Sequence, residues 1–213
     1  MSKASRRLRI VVASANPDKA REMVEILGVA LGGKIELVAR PGDLEVVDED
    51  GETLEDNARL KARAVRAATG FGAVADDTGL EVDALGGLPG VRAARYAGPE
   101  GRSADNIAKL LGALGDRQDR RARFRTVALA ALSDGTELVA SGTLEGTIAE
   151  AARGEGGFGY DSVFIPDDGH GLTLAEMAAD DKHEISHRGR ALRALARLFE
   201  RHLSGPVSPS EGR

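Results

Sequence analysis

With 213 residues, 42% of them hydrophobic and 30% charged, the chain can bury one sizeable core and is too short for two comfortable domains. A formal net charge of −5 argues against duplex nucleic acid as the main partner, and the absence of cysteine excludes disulfides and zinc–thiolate sites. The apolar run at residues 10–13 is far too short for a signal peptide or a membrane span, so the expectation is a cytoplasmic protein with no membrane partner.

Residues 8–13, β-branched in their centre, predict a strand. A helix follows, with Asn16 as N-cap, Pro17 at the first helical position, and Ala20, Met23, Val24 and Leu27 at helical spacing. Residues 34–39 predict a second strand. The acidic stretch 43–56 leads into a second helix, where Thr53 and Asp56 resemble a capping box and Gly70 closes the C-terminus. Leu54, Ala58, Lys61, Val65 and Ala68 share one face of that helix.

Residues 73–75 predict a brief buried strand that ends in Asp76-Asp77. A loop-rich stretch at 79–101 and an amphipathic helix at 103–114 come next. Residues 124–132 and 137–148 predict a long hairpin across Ser133-Asp134-Gly135-Thr136, an Asp-Gly turn. A glycine-rich loop at 154–159 precedes a strand at 160–165, a short helix at 173–178 and a final amphipathic helix at 190–202. From Ser204 the Ser-, Gly-, Pro- and Glu-containing tail is expected to be disordered, leaving a single domain at 1–203. The fold class is mixed α/β with an antiparallel hairpin.

Four groups of residues carry possible chemistry. Ser14, Asn16 and Lys19 lie between a strand end and a helix start, where free N–H groups and the positive dipole end suit a phosphate; alone, the loop reads better as an ordinary capped helix with a solvated Lys. Glu49, Glu52, Glu55, Asp56, Asp76 and Asp77 are hard oxygen ligands of the kind Mg²⁺ takes, and a strand end bearing two charges needs counter-ions. Glycines at 154, 156, 157 and 159 let a backbone approach a flat ligand, Phe158 offers a stacking face, and Asp161 an acceptor. Lys182, His187 and Arg188 supply late donors, whereas His170, His183 and His202 read as surface residues without zinc spacing. No nucleophilic cysteine or nucleophile elbow is present, so the set favours attack by an activated water.

Six blocks in order resemble the inosine triphosphate pyrophosphatase family of non-standard purine nucleoside triphosphate pyrophosphatases. They are the stretch from Ala13 through Lys19 to Glu22; Asp56 to Ala62; Ala75 to Leu80; Leu88-Pro89-Gly90-Val91 with Ala94-Arg95-Tyr96; Gly156 to Asp161; and Ile185 to Gly189. The resemblance spans residues from about 8 to 200. It implies an elongated mixed sheet flanked by helices, with two lobes, an active site in the cleft between them, and a homodimer. The implied reaction converts ITP, dITP and XTP to the monophosphate and pyrophosphate with Mg²⁺ as cofactor, clearing deaminated purines from the nucleotide pool.

Carried over by position, Ser14, Ala15, Asn16, Pro17, Asp18 and Lys19 contact the triphosphate. Glu49 and Asp77 hold the metal, with Glu52 as the substitute second ligand, and Asp77 serves as general base. Thr78, standing where the family usually has Ser, joins Phe158, Gly159, Tyr160, Asp161, Lys182, His187 and Arg188 around the nucleotide, with the base stacked on Phe158. Asn16-Pro17-Asp18 departs from the more typical Asn-x-Gly. Two rivals remain at this point: a pyrophosphatase for modified pyrimidines or an unselective triphosphatase, and a nucleotide sensor without catalysis.

Overall fold

The computed structural model describes residues 7–205. Its framework is a seven-stranded sheet in the order β2-β1-β3-β5-β6-β7, with β4 paired to β3 off that path. Strand β1 (Leu8–Val12) lies parallel to both β2 (Ile35–Ala39) and β3 (Gly72–Val82). From β3 the sheet continues antiparallel through β5 (Arg121–Ala131), β6 (Glu137–Ile148) and β7 (Phe164–Pro166), while β4 (Pro89–Gly90) folds back on β3.

Strand β1 is buried on both faces, as a parallel strand between two helix layers must be. Ile10 and Val12 enter one core with Met23 and Leu27 of α1 (Pro17–Leu31) and with Leu192, Leu195 and Phe199 of α5 (His187–Ser204). Val11 and Ala13 face the other way, against Ala58, Ala62 and Val65 of α2 (Leu54–Thr69). A third core lies further along β3, β5 and β6. There Leu80, Phe124, Leu144 and Ile148 meet Leu110 and Leu114 of α3 (Ser103–Leu114). The long central strands therefore join two lobes, and the residues between the cores line the cleft.

The local signals explain both ends of α1 and α2. Asn16 Oδ1 accepts from the N–H groups of Asp18 and Lys19 at 2.9 and 3.1 Å. Thr53 Oγ1 accepts from Asp56 N–H at 3.1 Å and donates to Asp56 Oδ2 at 2.7 Å. Gly32 and Gly70 close α1 and α2 in the left-handed conformation.

Four expectations are corrected. Asp76-Asp77 do not end a strand at 73–75: β3 runs on to Val82, because residues 73–82 pair continuously with β5 and each aspartate finds a buried cation. That continuation also takes up part of the stretch expected to be loop. The segment 160–165 is mostly turn, with only its end entering β7, since the Val163 and Phe164 N–H groups bond back to Tyr160 C=O. Residues 173–178 are not helical, because Thr173 and Leu174 are drawn to Arg153 C=O and Phe164 C=O; the helix is α4 (Ala179–Ile185). The last helix begins at His187, capped by Ser186, whose Oγ accepts from Gly189 N–H at 3.0 Å. It continues through Ser204, and the remaining expected tail, 206–213, lies outside the described residues.

Candidate active site

Strand geometry decides the layout. Side chains alternate across a sheet, so the adjacent aspartates of β3 face opposite layers. Asp77 turns toward α2, where Lys61 Nζ reaches Oδ1 at 3.0 Å and Asn57 Nδ2 reaches Oδ2 at 3.1 Å. Lys61 Nζ also contacts Glu49 Oε1 at 3.1 Å. One ammonium thus sits between the two carboxylates expected to hold a metal. Glu52 is exposed and makes no such contact. Burial, reinforced by the nearby Glu49 charge, raises the Asp77 pKa against the opposing pull of Lys61 and Lys19.

Asp76 turns toward α1 and α5. Arg188 Nε donates to its Oδ2 at 2.9 Å, while Arg188 Nη1 donates to Glu22 Oε2 at 2.6 Å. Lys182 Nζ joins Glu22 Oε1 and Asp161 Oδ2, both at 2.9 Å. The result is a buried chain of alternating charges from Asp76 to Asp161. Although desolvation opposes it, the surrounding Lys19, Arg188 and Lys61 hold the Asp76 carboxyl far below the usual range. Its Oδ1 is buried without a hydrogen-bond partner in this structure.

Two clefts meet at the start of α1. One, of about 310 Å³, is lined by Ser14, Ala15, Asn16, Lys19, Arg40, Glu49 and Lys61. The other, of about 250 Å³, is lined by Asn16, Lys19, Thr78, Phe158, Gly159, Tyr160, Asp161, Lys182, His187 and Arg188, among others. Asn16 and Lys19 belong to both. Asn16 Oδ1 already occupies the Asp18 and Lys19 N–H groups, and Pro17 has none to give. The anion-facing donors at this turn are therefore the Asn16 side-chain amide and the Lys19 ammonium, aided by the helix dipole, while the Ser14 hydroxyl donates to Asn16 C=O at 3.3 Å. Ala15 and Pro17 are exposed, and Asp18 pairs with Arg21 at 2.7 Å.

In the second cleft, Phe158 has Lys182 Nζ and Arg188 Cζ at 4.9 and 5.4 Å from its ring centre. His187 stacks on Phe124 at 4.4 Å, and burial holds it neutral by lowering its pKa well below the ordinary value. Thr78 Oγ1 lies 2.7 Å from Thr126 Oγ1 and accepts from Arg188 Nη2 at 3.3 Å. Tyr160 is buried, and its hydroxyl donates to Ala93 C=O at 2.8 Å, which ties the loop across the cleft. Asp161 Oδ2 is spent on Lys182 and on the Phe158 N–H at 2.8 Å, so this oxygen holds protein groups rather than a base.

The glycine loop serves close packing of the chain on itself. Gly157 has φ +71°, and a Cβ there would collide with the Asp161 carboxylate; one on Gly154 would meet the Ala175 backbone at 2.6 Å. His183, read from sequence as a surface residue, is half-buried beside Glu22 and Glu25 at 3.8 and 3.9 Å, because α4 packs it against α1. His170 and His202 are exposed.

Sequence reasoning assigned no role to Lys61, Glu22, Asn57 or Arg95. Lys61 carried a signal, a lysine on an otherwise apolar helix face; Glu22 carried another, an acid next to Met23 on the face that continues through Ile26 and Leu27. Arg95, from the other lobe, donates to the Glu49 carbonyl, and nothing local in the sequence marks that bond.

The arrangement has relatives. The model of the Ham1 family matches residues 10–198. The chain belongs to the Ham1 family. It is 45% identical over 195 residues to a dITP/XTP pyrophosphatase of Symbiobacterium thermophilum, covering 91% of this chain and 94% of the relative. It is 43% identical over 193 residues to a dITP/XTP pyrophosphatase of Streptococcus agalactiae. There the match covers 89% of this chain and only 59% of the longer relative. Among solved structures, a HAM1 protein from Coxiella burnetii superposes with a TM-score of 0.81 at 38% identity, covering 91% of this chain and 98% of that one. The chain shares the α/β fold of that solved Ham1 structure. No helix among the described residues is long and apolar enough to cross a membrane.

Proposed function

We propose that this Ham1 family protein hydrolyses non-standard purine nucleoside triphosphates (ITP, dITP and XTP) to the monophosphate and pyrophosphate in the presence of Mg²⁺. The observation that carries the reading is the junction of the two clefts. Asn16 and Lys19 stand between a cationic, aromatic-lined cleft suited to a base and a second cleft containing Lys61 and Glu49. The names of the relatives support the same substrates.

The donor set fits a hard divalent ion. Among the described residues there is no group of three metal-ligating side chains, which would make a closed protein cage. Two carboxylates, Glu49 and Asp77, converge instead on one ammonium. Mg²⁺ is characteristically held by one or two carboxylates, with waters and substrate phosphates completing its shell. Bound there, it would neutralise phosphate charge and fix the α-phosphoryl group for in-line attack.

The residues themselves supply the remaining steps. Asp77 accepts a proton as the water oxygen bonds to the α-phosphorus. The bond from that phosphorus to the bridging oxygen breaks, and pyrophosphate leaves toward Lys19 and the start of α1. Their positive charge stabilises it more as charge accumulates. Lys182, Arg188 and His187 line the base cleft on one side. Hydrogen-bond donors there suit a 6-oxo purine and oppose the 6-amino group of adenine. Guanine is disfavoured where a snug edge leaves its 2-amino group unpaired, at a cost of ~1–3 kcal/mol.

The family resemblance further supports a homodimer acting in the cytoplasm on a small-molecule substrate, with no nucleic-acid partner. Sedimentation velocity distinguishes dimer from monomer directly. The functional reading is tested with a panel of ITP, dITP, XTP, GTP, ATP and modified pyrimidine triphosphates, each assayed with Mg²⁺ and with chelator. The expected result is pyrophosphate release restricted to the first three and abolished by chelation. Orthophosphate as the primary product, or equal turnover of ATP, would overturn it.

A further inference from the structure

Glu49 lies outside any helix or strand, in the segment between β2 and α2. Its carboxylate nevertheless stands within reach of the same ammonium as Asp77, which sits in mid-sheet. Something must fix that irregular segment against the strand. Lys61 joins the two carboxylates through its ammonium, and Asn57, 1% exposed, joins the backbone of the segment to the strand. Its Oδ1 accepts the Gly51 N–H at 2.8 Å, and its Nδ2 donates to Asp77 Oδ2 at 3.1 Å. Gly51 is two residues from Glu49. A Cβ on Gly51 would stand 2.7 Å from both Asn57 Oδ1 and Asp56 Cβ, so the segment is seated closely enough that only glycine fits.

We infer that Asn57 is a positioning residue that sets the separation of Glu49 and Asp77 by hydrogen-bonding to both of their segments, and so tunes metal affinity without touching the metal. The inference rests on the assignment of those two carboxylates made above. The physical basis is geometric. An amide has one acceptor and one donor end about as far apart as its own length, so one end fixes the other. A buried amide that closes the first turn of α2 can then transmit the position of the sheet to the loop. Outer partners of this kind typically change metal affinity by ~10–100-fold when removed. The interaction with Asp77 also leaves that carboxylate a single preferred orientation, which matters when one oxygen must face the ion.

The test compares Asn57→Ala, Gly51→Ala and Glu49→Gln with the unaltered protein. Three quantities are read: the Mg²⁺ concentration for half-maximal pyrophosphate release, kcat at saturating Mg²⁺, and hydrogen exchange of the residue-51 amide in metal-free protein by NMR. Asn57→Ala should raise the Mg²⁺ requirement ~10-fold or more, with activity largely restored at saturating metal. Its residue-51 amide should exchange faster than in the unaltered protein. Gly51→Ala drives a Cβ against Asn57 Oδ1 from the loop side while keeping the Asn57 side chain, and should give the same two shifts if Asn57→Ala fails to fold.

An Asn57→Ala protein with unaltered Mg²⁺ requirement and unaltered residue-51 exchange overturns the inference. So does a loss of activity that saturating Mg²⁺ does not restore and that merely follows the unfolded fraction. If Glu49→Gln leaves the Mg²⁺ requirement unchanged, the metal assignment itself fails. The metal-free exchange measurement still decides whether Asn57 fastens the loop.

Discussion

The two faces of β3 carry the same residue type at consecutive positions and treat it in opposite ways. On the α1/α5 face, Asp76 belongs to a chain of buried charges with Arg188, Glu22, Lys182 and Asp161, and its pKa is driven far down. On the α2 face, Asp77 has one ammonium, one amide and an acidic neighbour, and its pKa is raised. Both are almost fully buried, at 2 and 3% exposure, so burial alone cannot separate them. The balance of neighbouring charge does. A carboxylate surrounded by fixed cations is a structural anion; one left short of them is suited to take a proton or share a metal.

The sharpest way to break this contrast is to exchange each aspartate for asparagine in turn. Asp77→Asn should lower kcat by a factor on the order of 10²–10⁴, the usual worth of a positioned general base. Its urea midpoint should stay close to that of the unaltered protein, because Lys61 keeps Glu49. Steady-state kinetics and urea unfolding on the same preparation check both halves. Asp76→Asn should do the reverse in emphasis, losing ~3 kcal/mol of stability through a broken buried ion pair. A depressed carboxyl pKa contributes stability that is present above the unfolded value and lost as pH falls through the folded one. The stability difference between Asp76→Asn and the unaltered protein should therefore shrink as pH drops below about 4. Equal behaviour of the two variants would erase the distinction between the faces.

A smaller effect sharpens the comparison on the base side. Phe158→Ala should weaken substrate binding by ~1–3 kcal/mol, the worth of one aromatic stacking contact, seen as a raised KM for ITP with kcat less affected. If KM does not move, the Lys182 and Arg188 contacts to that ring are purely structural. The smallest effect concerns His187, kept neutral by burial. As pH falls below about 6.5, the unfolded chain binds a proton that the folded chain refuses, so stability drops by at most about 1.4 kcal/mol per pH unit. Thermal unfolding between neutral and mildly acidic pH should show this slope in the unaltered protein and not in His187→Gln.

The same contrast explains what the sequence made legible. The β1–α1 turn, the Thr53–Asp56 cap and the Asp-Gly hairpin rest on neighbours within a few residues, and they form as expected. Six ordered blocks were enough to indicate the family. The site pairings were not legible, because Arg188, Glu22 and Asp76 come from the last helix, the first helix and the middle of the sheet. For the same reason β3 seemed to stop at its aspartates: two adjacent charges look like a strand end until their distant counter-ions are known. The segment 173–178 reads as a short helix, but its Leu174 and Ala175 N–H groups go to Phe164 C=O and Asp161 C=O, and the Thr173 hydroxyl goes to Arg153 C=O. Lys61 was visible as an anomaly, a charge on an apolar face; the resemblance favours Glu49 with Glu52 as substitute, and the fold brings Glu49 to the same ammonium as Asp77.

The central claim is that water attacks the α-phosphorus with Asp77 taking its proton. Turnover of ITP in heavy-oxygen water, followed by mass analysis of both products, tests it most directly. The account predicts the solvent oxygen in the monophosphate, none in the pyrophosphate, and almost no turnover by Asp77→Asn under the same conditions. Label found in the pyrophosphate would contradict the account.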